Sequence, residues 1–296
     1  MRWKRVVLVI AFIFVMGWVL NIKEKLGFTP KYELHLEAVS AAMMDADTGK
    51  WLYLSNAQEP LPPASMSKMM TEILVLDDIR SGKLTWESPV VVSSYAASIG
   101  GAGMDLAEGQ TITVSELFNG MAIHSANDAA VALAEFSEGS ETEFVKKMNL
   151  KAAEIGLSED TFFANSTGLS SRDLEDYATA AANGDTVMTA KDVALLARYL
   201  IEIHPEVLKV TKRAKAGDDS SKNLQTTNEM LPGQRFGTKG NDGLKTGYTK
   251  QAGYCFTGTT VVDGRRYITV VMGASTPEAR FEETKKLLAY GEGAAS

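Results

Sequence analysis

The chain is poor in the residues that most often announce chemistry. Its 296 residues include one cysteine, Cys255, and three histidines, His35, His124 and His204. A single cysteine excludes an internal disulfide and a cysteine-cluster metal site, and it reads as a small buried hydrophobe. The histidines lack His-x-x-x-His or Cys spacing, so no metal and no cofactor are expected. His124 adjoins Ser125, but no Gly-x-Ser-x-Gly elbow exists to build a Ser-His-Asp hydrolase. Internal repeats and low-complexity stretches are absent too. Positive charge is scarce outside the first thirty residues. Residues 1–30 hold five bases and one acid, and the remainder holds 25 bases against 36 acids, a body of −11 within a net −7. An acidic body excludes a nucleic-acid partner, which requires a basic patch.

What remains is an ordinary globular composition, 45% hydrophobic and 23% charged. It excludes disorder, collagen-like repeats and disulfide scaffolds. A chain of this length buries roughly 75% of the surface its unfolded form exposes, enough for a deep core and a protected site.

No apolar run reaches full membrane length. Arg2, Lys4 and Arg5 precede Val6–Leu20, fifteen residues without a charge. That is the pattern of an export signal. The run spans about 22 Å as a helix, short of the roughly 30 Å hydrocarbon core, with Trp3 and Trp18 near its ends as interfacial anchors. No small-x-small cleavage site follows directly, and Ala38-Val39-Ser40 belongs to the first strand of the body. The favoured expectation is an uncleaved signal-anchor, with a cleaved signal peptide as the alternative. Either way the acidic body lies outside the membrane.

Tyr32–Glu37 is a juncture. Ala38–Asp45 and Trp51–Ser55 form a hairpin about Asp47-Thr48-Gly49-Lys50. The periodicity of Met69, Ile73, Leu76 and Ile79 predicts a helix over 65–80, with Asp77-Asp78 at its solvated end and Met66, Met69 and Met70 as core filler. Further helices are expected over 113–123, capped by Thr113 and Glu116, and over 127–136, 142–155 and 189–203. Gly168–Gly184 reads as a polar surface loop. Strands follow over 243–247, 254–262 and 265–273, with Asp263-Gly264 as a hairpin turn, and a closing helix over 284–290. Strands at both ends with helices between imply one mixed sheet that the chain leaves and rejoins.

Three short patterns occur in order: Ser65-Met66-Ser67-Lys68, Ser125-Ala126-Asn127 and Lys245-Thr246-Gly247. Each alone is weak. Ser221-Lys222-Asn223 also fits the second, but it sits in a polar run without flanking apolar elements. Ser65 and Lys68, three apart on a helix, share a face with Cβ atoms about 5–6 Å apart. An amine there accepts the hydroxyl proton only when neutral, and burial or a second cation, here Lys245, lowers a lysine's pKa. A helix N-terminus at Ser65 also suits a developing oxyanion. Taken alone, the first pattern equally fits an N-cap serine and a solvated lysine.

The three motifs are those of penicillin-binding proteins and class A β-lactamases. Their setting is more specific. It includes Asp45-Ala46-Asp47-Thr48-Gly49-Lys50, Asn56, and Pro62-Pro63-Ala64-Ser65-Met66-Ser67-Lys68-Met69-Met70-Thr71. Ser125-Ala126-Asn127-Asp128-Ala129-Ala130, Asn165-Ser166-Thr167-Gly168-Leu169, Thr189-Ala190-Lys191-Asp192 and Lys245-Thr246-Gly247-Tyr248-Thr249 complete it. Over about residues 38–290 the chain resembles the D-alanyl-D-alanine carboxypeptidases of the low-molecular-mass penicillin-binding group, the S11-like peptidases.

The resemblance implies an α/β (α+β) fold of β-lactamase/transpeptidase type. That fold has a mixed, mainly antiparallel sheet flanked by helices, plus a helical subdomain. It implies a serine peptidase domain over 31–296, after a signal and juncture over 1–30. It implies removal of the terminal D-alanine from peptidoglycan stem peptides ending in D-Ala-D-Ala, inhibition by β-lactams, and a site on the outer face of the cytoplasmic membrane. Ser65 would be the acylated nucleophile, Lys68 its general base and Ser125 the proton relay. Asn127 would hold the substrate amide, and Lys245 and Thr246 its carboxylate. Gly247 would allow close backbone approach, and the Ser65 and Tyr248 N–H groups would form the oxyanion hole. Relatives commonly carry a C-terminal β-domain and anchor helix; with six residues after Tyr290, neither is expected. Some also have an arginine about fifteen residues before the Lys-Thr-Gly lysine, where Arg235 is the nearest substitute. Two rivals remain. A β-lactamase would need a deacylating glutamate, and no Glu-x-x-Leu-Asn occurs in 150–185. A penicilloyl sensor or peptidoglycan-binding module would need an output domain, and only Met1–Arg5 precedes the apolar run.

Overall fold

Runs of residues buried on both faces form strands near the two ends of the body, and the chain brings those ends together. The computed structural model describes residues 34–178, 180, 184–216 and 224–295. The body forms one unit, Leu36–Ser296. The expected export segment Val6–Leu20 lies outside the described residues. Among the described residues no helix is long and apolar enough to cross a membrane.

In chain order the elements are β1 Ser40–Asp45, β2 Trp51–Ser55, a 3-10 turn Ala64–Ser67, α1 Lys68–Arg80, β3 Pro89–Val91, α2 Ser94–Ser98 and β4 Thr111–Thr113. They continue with α3 Val114–His124, α4 Asn127–Glu138, α5 Glu141–Ile155, a 3-10 turn Ser171–Leu174, α6 Ala190–Ile203 and α7 Val207–Thr211. The last are β5 Lys215–Ala216, β6 Leu224–Gln225, β7 Asn241–Thr249, β8 Gly253–Val262, β9 Arg265–Ala274 and α8 Ala279–Ala295. The main sheet has the order β2-β1-β9-β8-β7. All of its pairings are antiparallel, which corrects the expected mixed sheet. The physical reason is that a hairpin and a three-stranded meander meet at β1 and β9, which run in opposite directions. Asp263 and Gly264, with φ of 48° and 80°, make the tight turn between β8 and β9.

Side chains alternate across the sheet. Phe256 packs edge-on against Phe281 of α8, with ring centroids 5.1 Å apart. The next residue, Thr257, reaches the opposite face, where its hydroxyl meets the Met66 sulfur at 3.1 Å. On that face lies α1, buried from Lys68 through Leu76. A helix buried all round belongs in the middle of its domain, and α3, α4, α5 and α6 all pack on it. Thr113 and Glu116 form the expected capping box, which fixes where α3 begins, and the left-handed Ser125 ends it after His124. Met66, Met69 and Met70 are fully buried core residues, as expected.

Candidate active site

Three elements converge on one pocket. The first is the turn before α1. Ser65 lies within a 3-10 turn that begins at Ala64, whose φ of +49° is unusual for a residue with a Cβ. Ser65 is therefore neither on the α-helix nor an N-cap; only Lys68 starts α1. The second is the junction of α3 and α4. Ser125 caps α3 in the left-handed conformation at φ +68°, which turns the chain sharply and sets Asn127 as the first residue of α4. The third is β7, the edge strand, which carries Lys245-Thr246-Gly247. A Cβ on Gly247 would sit 2.5 Å from the Pro63 carbonyl oxygen and 3.2 Å from the Ser65 nitrogen. Only glycine lets the edge strand come this close to the turn.

Lys68 is fully buried, and its Nζ lies 3.0 Å from Ser65 Oγ, 2.7 Å from Asn127 Oδ1 and 2.7 Å from the Thr167 carbonyl. The Asn127 amide is oriented by its Nδ2, which donates to the Gly100 carbonyl at 2.8 Å. Two of the three partners of Lys68 are thus pure acceptors. A neutral amine donates its two hydrogens to them and keeps its lone pair for the Ser65 hydroxyl. Lys245, also buried, places Nζ 2.7 Å from Ser125 Oγ and 3.1 Å from the Thr246 carbonyl. Thr246 Oγ1 meets Thr227 Oγ1 at 2.6 Å. Tyr248 is half exposed and stacks on Tyr254, with centroids 4.3 Å apart. All eight expected site residues therefore lie on these three converging elements.

Burial pushes Lys68 well below the usual lysine range, and the Lys245 charge adds to that; Glu72, Asp128 and Glu141 oppose it. Burial lowers Lys245 as well, with Glu72 opposing and Arg280 assisting. Neither ammonium has a carboxylate hydrogen-bonded to it. The arrangement can therefore accept a proton from Ser65 and relay one through Ser125.

The supports of this pocket carried little signal in the sequence. Asn165 Oδ1 accepts hydrogen bonds from Thr167 N, Thr167 Oγ1 and Gly168 N, which bends the chain so that the Thr167 carbonyl faces Lys68. Gly168 has φ +76°, and a Cβ there would collide with the Ala64 carbonyl. Buried Glu141 holds Ser166 through its N–H at 2.9 Å and binds the Tyr95 hydroxyl at 2.9 Å. Asp128 accepts from Met104 N at 2.8 Å and Leu106 N at 3.2 Å, pinning the loop beside Asn127. Thr167 lies within the motif Asn165-Ser166-Thr167-Gly168-Leu169, but a backbone carbonyl has no residue signature, so the motif does not show that this atom meets Lys68. Glu141 and Asp128 look like ordinary helix acids.

Two expectations are corrected. Arg235 does not face the site; it pairs with Glu278 at 2.8 Å on the surface. The cation beside β7 is instead Arg280 of α8, whose Nη1 donates to the Gly247 carbonyl at 3.4 Å. It lies so far along the sequence that no short motif contains it. Asp77 and Asp78 are not a solvated helix end: Asp78 is buried, and both are ion-paired. The reason is that α5 and the 81–84 turn supply lysines to that end of α1. His124 turns away from Ser125, with Nδ1 2.9 Å from the Gln225 carbonyl. Among the described residues no group of three or more metal-ligating side chains occurs. Cys255 pairs with Gly247 across β8 and β7 and is fully buried.

The family model described as D-alanyl-D-alanine carboxypeptidase matches residues 27–276. The chain is 40% identical over 262 residues to D-alanyl-D-alanine carboxypeptidase DacF of Bacillus subtilis (strain 168), covering 87% of this chain and 63% of the relative. It is 34% identical over 281 residues to DacD of Escherichia coli (strain K12), covering 91% and 66%. The chain thus spans less than two thirds of the length of these relatives. Among solved structures, penicillin-binding protein D2 from Listeria monocytogenes in its ampicillin-bound form superposes with a TM-score of 0.74 at 36% identity, covering 88% of this chain and 99% of that one. Penicillin-binding protein 3 from Streptococcus pneumoniae gives a TM-score of 0.82 at 36% identity, covering 88% and 74%.

Proposed function

The chain belongs to the D-alanyl-D-alanine carboxypeptidase family, and from that premise we propose that it is a serine carboxypeptidase acting on peptidoglycan stem peptides that end in D-Ala-D-Ala. The observation that carries this reading is the 3.0 Å contact between Ser65 Oγ and the buried Lys68 amine, whose other two partners are carbonyl oxygens. Ser65 Oγ attacks the carbonyl carbon of the D-Ala-D-Ala amide and passes its proton to Lys68. The oxyanion is held by the N–H groups of Ser65 and Tyr248. Ser125, bonded to Lys245, delivers its proton to the departing nitrogen and takes the proton held by Lys68 in its place, so the C–N bond breaks, D-alanine is released and Lys68 is neutral again. Water then attacks the Ser65 ester and gives its proton to Lys68. The C–O bond breaks, the proton returns to Ser65, and the shortened peptide leaves.

Lys245 and Thr246 receive the terminal carboxylate, with Arg280 adding a second positive charge, and Asn127 holds the substrate amide. A β-lactam offers the same carbonyl and a carboxylate, so it acylates Ser65 and inhibits. Residues 31–296 form the peptidase domain. It works on the outer face of the cytoplasmic membrane, with Val6–Leu20 as a tether, and needs no metal or cofactor.

The test is release of D-alanine from a diacetyl-Lys-D-Ala-D-Ala peptide, with intact mass spectrometry after benzylpenicillin. Release by the full chain, none by Ser65→Ala, and a penicilloyl mass on Ser65 are expected. A lasting penicilloyl adduct without D-alanine release would overturn the reading in favour of a sensor. Rapid penicillin turnover would overturn it in favour of a β-lactamase.

A further inference from the structure

Glu72 follows Lys68 by one helical turn on α1, so both side chains leave the helix on the same face. It is 1% exposed, and neither carboxylate oxygen has a hydrogen-bond partner among the described residues. Nothing in the packing of α1 calls for an acid here, since Met69, Met70, Ile73, Leu74, Val75 and Leu76 around it are buried apolar residues. An unpartnered buried carboxylate is costly, and its presence asks for a counter-charge. Burial raises its carboxyl to about 7, and two cations oppose that rise, Lys245 of β7 and Lys68 of its own helix. Asp128 of α4 and Glu141 of α5 act on Lys68, and Arg280 of α8 acts on Lys245.

The charge count is simple. Two buried lysines and one buried carboxylate sum to zero when a single proton is held by the lysine pair. The reaction needs that proton on Lys245, where a carboxylate must bind, and absent from Lys68, which must accept one. Buried, unpartnered and one turn from Lys68, Glu72 favours a positive charge on either lysine and so supports one proton on the pair. The Lys245 cation in turn disfavours a charge on Lys68.

We propose that Glu72 is a positioning residue of this site: its carboxylate is the buried counter-charge that keeps Lys245 protonated and, through Lys245, keeps Lys68 free to take the Ser65 proton. The proposal rests on the acyl-transfer reading above. Glu72 touches no substrate; it sets the pH window in which the two lysines hold opposite protonation states.

The sign follows directly. A nearby carboxylate raises a lysine's pKa by about 1–3. Removing it lets Lys245 lose its proton at lower pH, so the alkaline limb of acylation moves acid-ward by about one pH unit or more. The experiment measures the second-order rate of Ser65 penicilloylation against pH, beside D-alanine release, for the full chain and for Glu72→Gln, Glu72→Met and Glu72→Asp. Gln keeps the shape, Met tolerates an apolar site, and thermal unfolding shows which of them is folded. The expected result is an acid-ward limb in Gln or Met, with a KM that rises earlier than kcat falls, and a limb near wild type in Asp. A limb that stays in place while the rate drops uniformly marks a packing role and overturns the proposal. So does an Asp variant that shifts as far as Gln. A wild-type chain that acylates but releases no D-alanine overturns the carboxypeptidase reading alone, and the limb shift still decides the role of Glu72. A wild-type chain that does not acylate overturns both.

Discussion

The two ends of α1 use the same kinds of residue for opposite purposes. At its far end Asp78 takes Lys147 at 2.8 Å and Lys83 at 3.2 Å, while Asp77 takes His204 at 2.9 Å and Lys151 at 3.0 Å. Burial alone would lower Lys83 and Lys151, but hydrogen bonds and charges from Glu138, Asp78, Glu154 and Asp77 outweigh it and hold both above the ordinary lysine value. At the near end Lys68 and Lys245 are buried more deeply, and their hydrogen-bond partners are carbonyls and hydroxyls. Both are lowered. Depth of burial and hydrogen-bond partners together separate the two ends: full burial among neutral acceptors lowers Lys68 and Lys245, whereas carboxylate partners on shallower lysines hold the charge.

That contrast can be broken most severely at its near end. Lys68→Ala removes the proposed base, and acylation of Ser65 by penicillin should fall by about 10²–10⁴. The thermal midpoint should hold or rise, because a buried amine is replaced by an apolar group. Normal acylation in this variant would remove Lys68 as the base. At the far end the ranking reverses. Asp78→Asn leaves Lys147 and Lys83 facing a neutral amide, which should cost about 1–3 kcal/mol of stability. Chemical denaturation measures that loss, and D-alanine release per folded molecule should not change. The smallest effect concerns pH. Burial would raise Glu138, but its hydrogen bonds to Lys147 and Lys83 prevail and hold it below its ordinary 4.5. Its contribution is therefore fully present above that value and lost as pH falls through the folded value. Glu138→Gln should lower the thermal midpoint slightly at neutral pH and not at all in strong acid. A gap that persists in acid would mean the pairing is not electrostatic.

Much of this was legible before any coordinates. Capping boxes mark α3, the Asp263-Gly264 pair marks the β8–β9 turn, and three short motifs mark the pocket, because each of these depends on a residue type at fixed spacing. Some supports lay within quoted motifs, but their contacts were not legible, because they depend on what arrives from elsewhere in the chain. Thr167 acts through its carbonyl, Arg280 through a helix that docks late, and Glu141 through a tyrosine and a serine on other segments. Asp77 and Asp78 were misjudged for the same reason: the helix pattern shows which face is apolar, not which lysines will meet its polar end.

The pairing of β1 with β9 joins Ser40 to Met272 in the middle of the sheet. Until residues near 274 are present, β1 and β2 are a lone hairpin, which is marginal in water. Lys245 also waits, because β7 reaches the rest of the sheet only through β8 and β9. A nascent chain therefore carries Ser65 and Lys68 without the strand that completes their pocket. The pocket comes into being only when the last strand does, so the order of synthesis decides when Ser65 and Lys68 first meet Lys245.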